Sequence, residues 1–85
     1  MARELRRLYP NDRQPHDAVI VTVRRALGRT VADVAAVEVI ADFPQPVPMA
    51  LAAAEALKAE AGFREIAVIV ADDAEWRPEW GTLVG

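Results

Sequence analysis

Two stretches of this chain, Ala18-Val19-Ile20-Val21-Thr22-Val23 and Ile66-Ala67-Val68-Ile69-Val70-Ala71, are almost wholly β-branched or small and apolar. Neither has the spacing of an amphipathic helix, so each reads as a strand buried on both faces. An apolar face left in water forgoes roughly 25 cal/mol per Å² of burial. The rest of the chain must therefore supply cover for two sides of a sheet.

The most secure helix spans Met49 to Ala61, rich in Ala, Leu and Glu, with Pro48 suited to its first turn and Gly62 placed as its stop. Its Ala50, Ala53, Ala54, Leu57 and Ala61 face is small enough to sit close against a sheet. At the N-terminus, Leu5, Leu8 and Tyr9 recur at i, i+3 and i+4, which predicts a short amphipathic helix of two turns at most. Pro10 to His16 collects turn formers and reads as a loop. After the first strand, Leu27-Gly28-Arg29-Thr30 offers Gly at the first central position of a two-residue type II′ turn, with Val31 to Ala41 as the return strand. The alternative is a helical turn at Val31 to Ala35, capped by Thr30. Pro44, Pro46 and Pro48 end that region, because alternate prolines cannot continue a central ladder.

The expected fold is a small two-layer α/β (α+β) sandwich, one domain over 1–85, ordered helix-strand-strand-helix-strand with a C-terminal edge strand at Thr82 to Val84. It divides into a short helix over 1–9, a loop over 10–16, a sheet-and-helix core over 17–71 and a Trp-bearing tail over 72–85. A domain this small buries only about 60–65% of its unfolded surface. One good helix covers one sheet face, so a second copy is the natural cover for the other, and a homodimer is the expected state.

The chain has neither cysteine nor serine and a single histidine, His16, which removes Ser-His-Asp, Cys-His and the usual His/Cys zinc chemistry within one subunit. Its four glycines are scattered, so there is no phosphate-cradling loop or dinucleotide fingerprint, and no cofactor is expected. The longest apolar stretch, Val47 to Ala54, is too short to span a bilayer, and the first residues lack the apolar core of a signal peptide. A cytoplasmic address is the expectation. Arginine makes up all of the basic residues except Lys58, as in the proteins of GC-rich bacteria.

Charge is unevenly placed: seven arginines against Glu4, Asp12 and Asp17 give +4 up to Arg29, and three bases against ten acids give −7 beyond it. Three functions compete. The leading one is a non-enzymatic protein-interaction module that self-associates through the apolar sheet face and a tail anchored by Trp76 and Trp80, with Leu5, Leu8 and Tyr9. The alternative is a nucleic-acid-associated accessory protein using Arg3, Arg6, Arg7, Arg24, Arg25 and Arg29, with Arg13 nearby. Against it, no aromatic residue that would stack on bases is interleaved with those arginines, and the domain as a whole is acidic. The third is a metal-dependent enzyme using Asp42, Asp72 and Asp73, for which strand ends meeting water is the simpler account. His16 beside Asp17 and Lys58 beside Glu55 need nothing beyond solvent and pairing.

Overall fold

The computed structural model describes residues 4–13, 15, 17–26, 28–36, 44–70 and 75–84. It is mixed α/β, with one helix and a six-stranded sheet. The strands are β1 (Glu4–Leu8), β2 (Ala18–Ala26), β3 (Arg29–Ala35), β4 (Gln45–Pro46), β5 (Glu65–Val70) and β6 (Thr82–Val84), in spatial order β4-β3-β2-β5-β1-β6. The helix α1 (Val47–Ala61) joins β4 to β5, and a 3-10 turn (Pro78–Trp80) precedes β6. β5 lies between β2 and β1 and is parallel to both; β1 is in turn parallel to β6. β2 and β3 form an antiparallel hairpin, and β4 runs antiparallel to β3.

The parity of the strands sorts the apolar residues into two groups. Val19, Val21, Val23, Ile66, Val68 and Val70 join Leu5, Ala32 and Val34 under Val47, Ala50, Leu51 and Ala54 of α1. On the reverse face Leu8, Ala18, Ile20, Ala67 and Ile69 form a second buried cluster. The helix residues used are spaced i, i+3, i+4, i+7, with Ala53 and Leu57 partly buried beside them, whereas Ala61, expected on this face, is exposed. α1 starts two residues earlier than its composition suggests, at Val47, with Pro48 in the first turn. It ends where expected: Gly62 takes φ +75°, and the Gly62 and Phe63 amides both donate to the Lys58 carbonyl.

The N-terminal segment is the main correction. Glu4–Leu8 is a strand, not a helix, because the pairing it gains with β5 and β6 outweighs a helical signal resting on three side chains. Leu5 and Leu8, an odd number of residues apart, fall on opposite faces of the sheet and fill a different cluster each, while Tyr9 stays half exposed. The hairpin is confirmed over the helical turn, with one shift. Ala26 pairs with Arg29, so Gly28, at φ +76°, directly precedes the return strand and Arg29 belongs to that strand instead of the turn. The continuation of the return strand to Ala41 lies outside the described residues. β4 is confined to two residues at the sheet edge, where Pro46 is tolerated, and Thr82–Val84 is the expected edge strand on the other side.

Leu51→Ala should lower stability by about 2–5 kcal/mol, since Leu51 is wholly buried between helix and sheet. Gly62→Ala should cost about 1–2 kcal/mol, from the left-handed backbone alone, because a Cβ there meets nothing within 4 Å. Urea midpoints at constant slope check both; equal losses would contradict this account of the core.

Candidate functional site

β2 ends in two arginines that alternation sends to opposite sides. Arg24 lies on the face away from α1 and donates to Asp33 Oδ2 at 2.9 Å, whereas Arg25 shares the α1 side with Val19, Val21 and Val23. Arg25 is paired across the hairpin with Thr30, so the two side chains stand together. Both reach the same carboxylate: Thr30 Oγ1 donates to Glu75 Oε2 at 2.9 Å, and Arg25 Nη1 lies 3.6 Å from Glu75 Oε1. Arg25 also donates to the Gly28 carbonyl at 3.3 Å. Glu75 is thereby the tie between the hairpin tip and the C-terminal segment.

That segment folds back on the subunit. Trp76 and Trp80 pack against the core cluster under α1, their rings edge-on at 5.2 Å between centroids, and the Trp76 indole N–H donates to the Gly81 carbonyl at 3.0 Å. The guanidinium of Arg77 sits 5.8 Å from the Trp80 ring centre, within cation–π range, and 3.7 Å from Glu79. Both indoles remain partly exposed.

The hairpin tip, the first turn of α1 and the 3-10 turn enclose an open cleft of about 490 Å³. Arg25, Arg29 and Thr30 form one wall, Val47 and Pro48 a second, and Arg77 with Trp80 the third; among the described residues no carboxylate lines it. The first turn of α1 carries no acidic side chain either. The cleft lies where β2 ends, at the carboxyl end of the parallel pair β2 and β5, the end at which open α/β sheets bind ligands. Among the described residues Arg29 makes no ion pair.

A second cleft, of about 540 Å³, opens at the opposite end, where β1 and β5 begin. Glu4, Arg6, Glu55, Lys58, Arg64 and Glu65 surround it, as many acids as bases. Arg6 donates to Glu65 at 2.7 Å, and this hydrogen bond and charge hold the Arg6 guanidinium above its ordinary pKa. Slightly larger than the first, it has no excess of either charge.

The arginines expected to act together are divided by the fold. Arg25 and Arg29 line the first cleft, Arg24 and Arg6 pair with Asp33 and Glu65, and Arg7 donates to the Val70 carbonyl at 2.9 Å with its guanidinium 4.4 Å from the Tyr9 ring centre. Arg13 is exposed in the loop. Arg3, His16, Asp42, Asp72 and Asp73 lie outside the described residues; among those described, no three His, Asp or Glu side chains are grouped to hold a metal. No helix is long and apolar enough to cross a membrane. Leu5 and Leu8, expected at a partner interface, are core residues in different clusters. Sequence reasoning missed Thr30, Glu75 and Arg77. Correct placement of Gly28 finds Thr30 through its pairing with Arg25, but no local pattern announces a contact across 45 residues.

The chain matches no protein-family model, no curated protein and no solved structure. What the cleft does is argued from its chemistry alone.

Because Thr30 and Glu75 share a part-buried hydrogen bond, a Thr30→Val, Glu75→Ala double-mutant cycle read by urea denaturation should give a coupling of about 0.5–1.5 kcal/mol. Zero coupling would mean the C-terminal segment is not tied to the hairpin.

Proposed function

We propose that this protein is a non-enzymatic nucleic-acid-associated accessory protein that contacts single-stranded nucleic acid through the cleft lined by Arg25, Arg29, Arg77 and Trp80. The single observation that carries the reading is the placement of Trp80 among those arginines. Single-strand binding needs cations for the phosphates and an aromatic face for the bases. In the sequence Arg25 and Arg29 are far from Trp80 and Arg77 is three residues from it; in space all four line one cleft. An indole is a stacking platform indifferent to base identity, and guanidinium groups hold phosphate oxygens in bidentate fashion. The overall charge of −3 weakens long-range attraction more than it weakens a contact made inside a cleft lined by three arginines.

Self-association through the sheet face has less behind it. The argument for a second copy was an uncovered face, yet Leu8, Ile20 and Ile69 are each less than a tenth exposed within one chain. The tryptophans proposed as anchors on a partner rest on this subunit's own core.

Fluorescence anisotropy of a short labelled single-stranded oligonucleotide tests the proposal. Binding is expected at low salt and should weaken as salt rises; Arg29→Ala with Arg77→Ala should flatten the log–log salt slope by roughly 1.4, at about 0.7 for each phosphate contact on a single strand. Trp80→Ala should lose about 1–3 kcal/mol of binding. Absence of binding at low salt, or binding unchanged in both variants, would overturn it.

A further inference from the structure

Resting on that reading, we infer that the cleft accepts one unstacked nucleotide unit, its phosphate between Arg25, Arg29 and Arg77 and its base against the Trp80 indole, and that Glu75 is the group this phosphate displaces from Arg25.

Size and charge both limit the ligand to one unit. A cleft of about 490 Å³ is in the range of small-molecule sites, roughly 300–1,000 Å³, and is closed on three sides by the hairpin tip, α1 and the 3-10 turn. A protein that tracks several nucleotides needs its cations to continue along the strand. Here they do not. Arg24 is on the other face of the hairpin and held by Asp33, Arg6 is beside the opposite cleft and held by Glu65, and Arg7 is directed at the Val70 carbonyl. Among the described residues the positive lining of the cleft is Arg25, Arg29 and Arg77.

The contacts that occupy these arginines in the free protein are of the kind that a phosphate replaces. Arg25 lies 3.6 Å from Glu75 and Arg77 lies 3.7 Å from Glu79, both beyond ordinary hydrogen-bond length, with arginine side chains 61% and 71% exposed. Exposed pairs of this geometry contribute little. A phosphodiester presents two charge-bearing oxygens, and a terminal monoester three with more charge than a carboxylate; a bidentate guanidinium–phosphate contact is stronger than either pair. Glu75 does not have to leave the fold when Arg25 turns away, because Thr30 still donates to its other oxygen at 2.9 Å. Glu75 is therefore a resident carboxylate at the edge of a phosphate subsite, holding Arg25 in place while the site is empty and competing weakly with the ligand.

The indole gives the readout. Tryptophan emission is titrated with adenosine 5′-monophosphate, adenosine and inorganic phosphate, and each is then tested as a competitor of the labelled oligonucleotide. The monophosphate should quench the emission and displace the oligonucleotide; adenosine and phosphate alone should each bind about tenfold more weakly or worse, since each keeps half of the contacts. Arg29→Ala should weaken the monophosphate by about tenfold, the loss of one charge-assisted contact. Glu75→Gln, which keeps a hydrogen-bond acceptor for Thr30 and removes the charge, should tighten it. Matching urea midpoints for wild type and Arg29→Ala ensure that folding is not what is measured. If the oligonucleotide binds and the monophosphate neither binds nor competes, the single-unit site is wrong while the nucleic-acid reading stands. If neither binds, both fall. If Glu75→Gln weakens the monophosphate, Glu75 is not a competitor and that part of the proposal is overturned.

Discussion

The structure depends on β5. Its residues from Ile66 to Val70 are all buried, so this strand must be paired along both edges and covered on both faces at once. β2 and β1 satisfy the edges, both in parallel, and α1 closes one face with a patch small enough for Ala50 and Ala54 to lie fully buried against the valines of the sheet. Parallel neighbours of β5 cannot be joined by a tight hairpin, so the chain between β2 and β5 must cross over. It does so through β3, β4 and α1, and this places the hairpin tip and the first turn of the helix at the same end of the sheet.

The cleft is a consequence of that crossover. Its arginines arrive from the hairpin because alternation along β2 directs Arg25 to the α1 side, and its indole arrives from the far end of the chain because β6 must pair with β1 after the 3-10 turn. The Thr30–Glu75 hydrogen bond and the packing of the two indoles on the core fix that last segment in place. A ring of surface residues from three distant stretches is thus held by core packing, which allows exposed side chains such as Arg29 and Arg77 to remain adaptable while the walls are rigid.

Much of the fold was legible in the sequence where the signal was local and strong. The β-branched runs gave β2 and β5, alanine content and Gly62 gave α1, and Gly28 gave the hairpin to within one residue. β1 was not, because Leu5, Leu8 and Tyr9 happen to match helical spacing while their real assignments, two different clusters and the solvent, follow from the strand edges β5 has to fill. The site was half legible. Arg25, Arg29 and Trp80 were each singled out, but under opposing functions, because nothing in the order of residues brings the hairpin beside the tail. Their union is a tertiary fact, and it removes the objection that aromatics and arginines are not interleaved.

The account stands on the C-terminal segment being a docked wall of the cleft and not a free arm. Nuclear Overhauser contacts of the two tryptophan indoles test this most directly. The account predicts cross-peaks between the Trp76 and Trp80 rings, from both rings to methyl groups of the core cluster under α1, and a slowly exchanging Trp76 indole N–H held by the Gly81 carbonyl. Sharp indole signals at unfolded-chain shifts, with no contact to the core, would contradict it and leave the arginines without their aromatic partner.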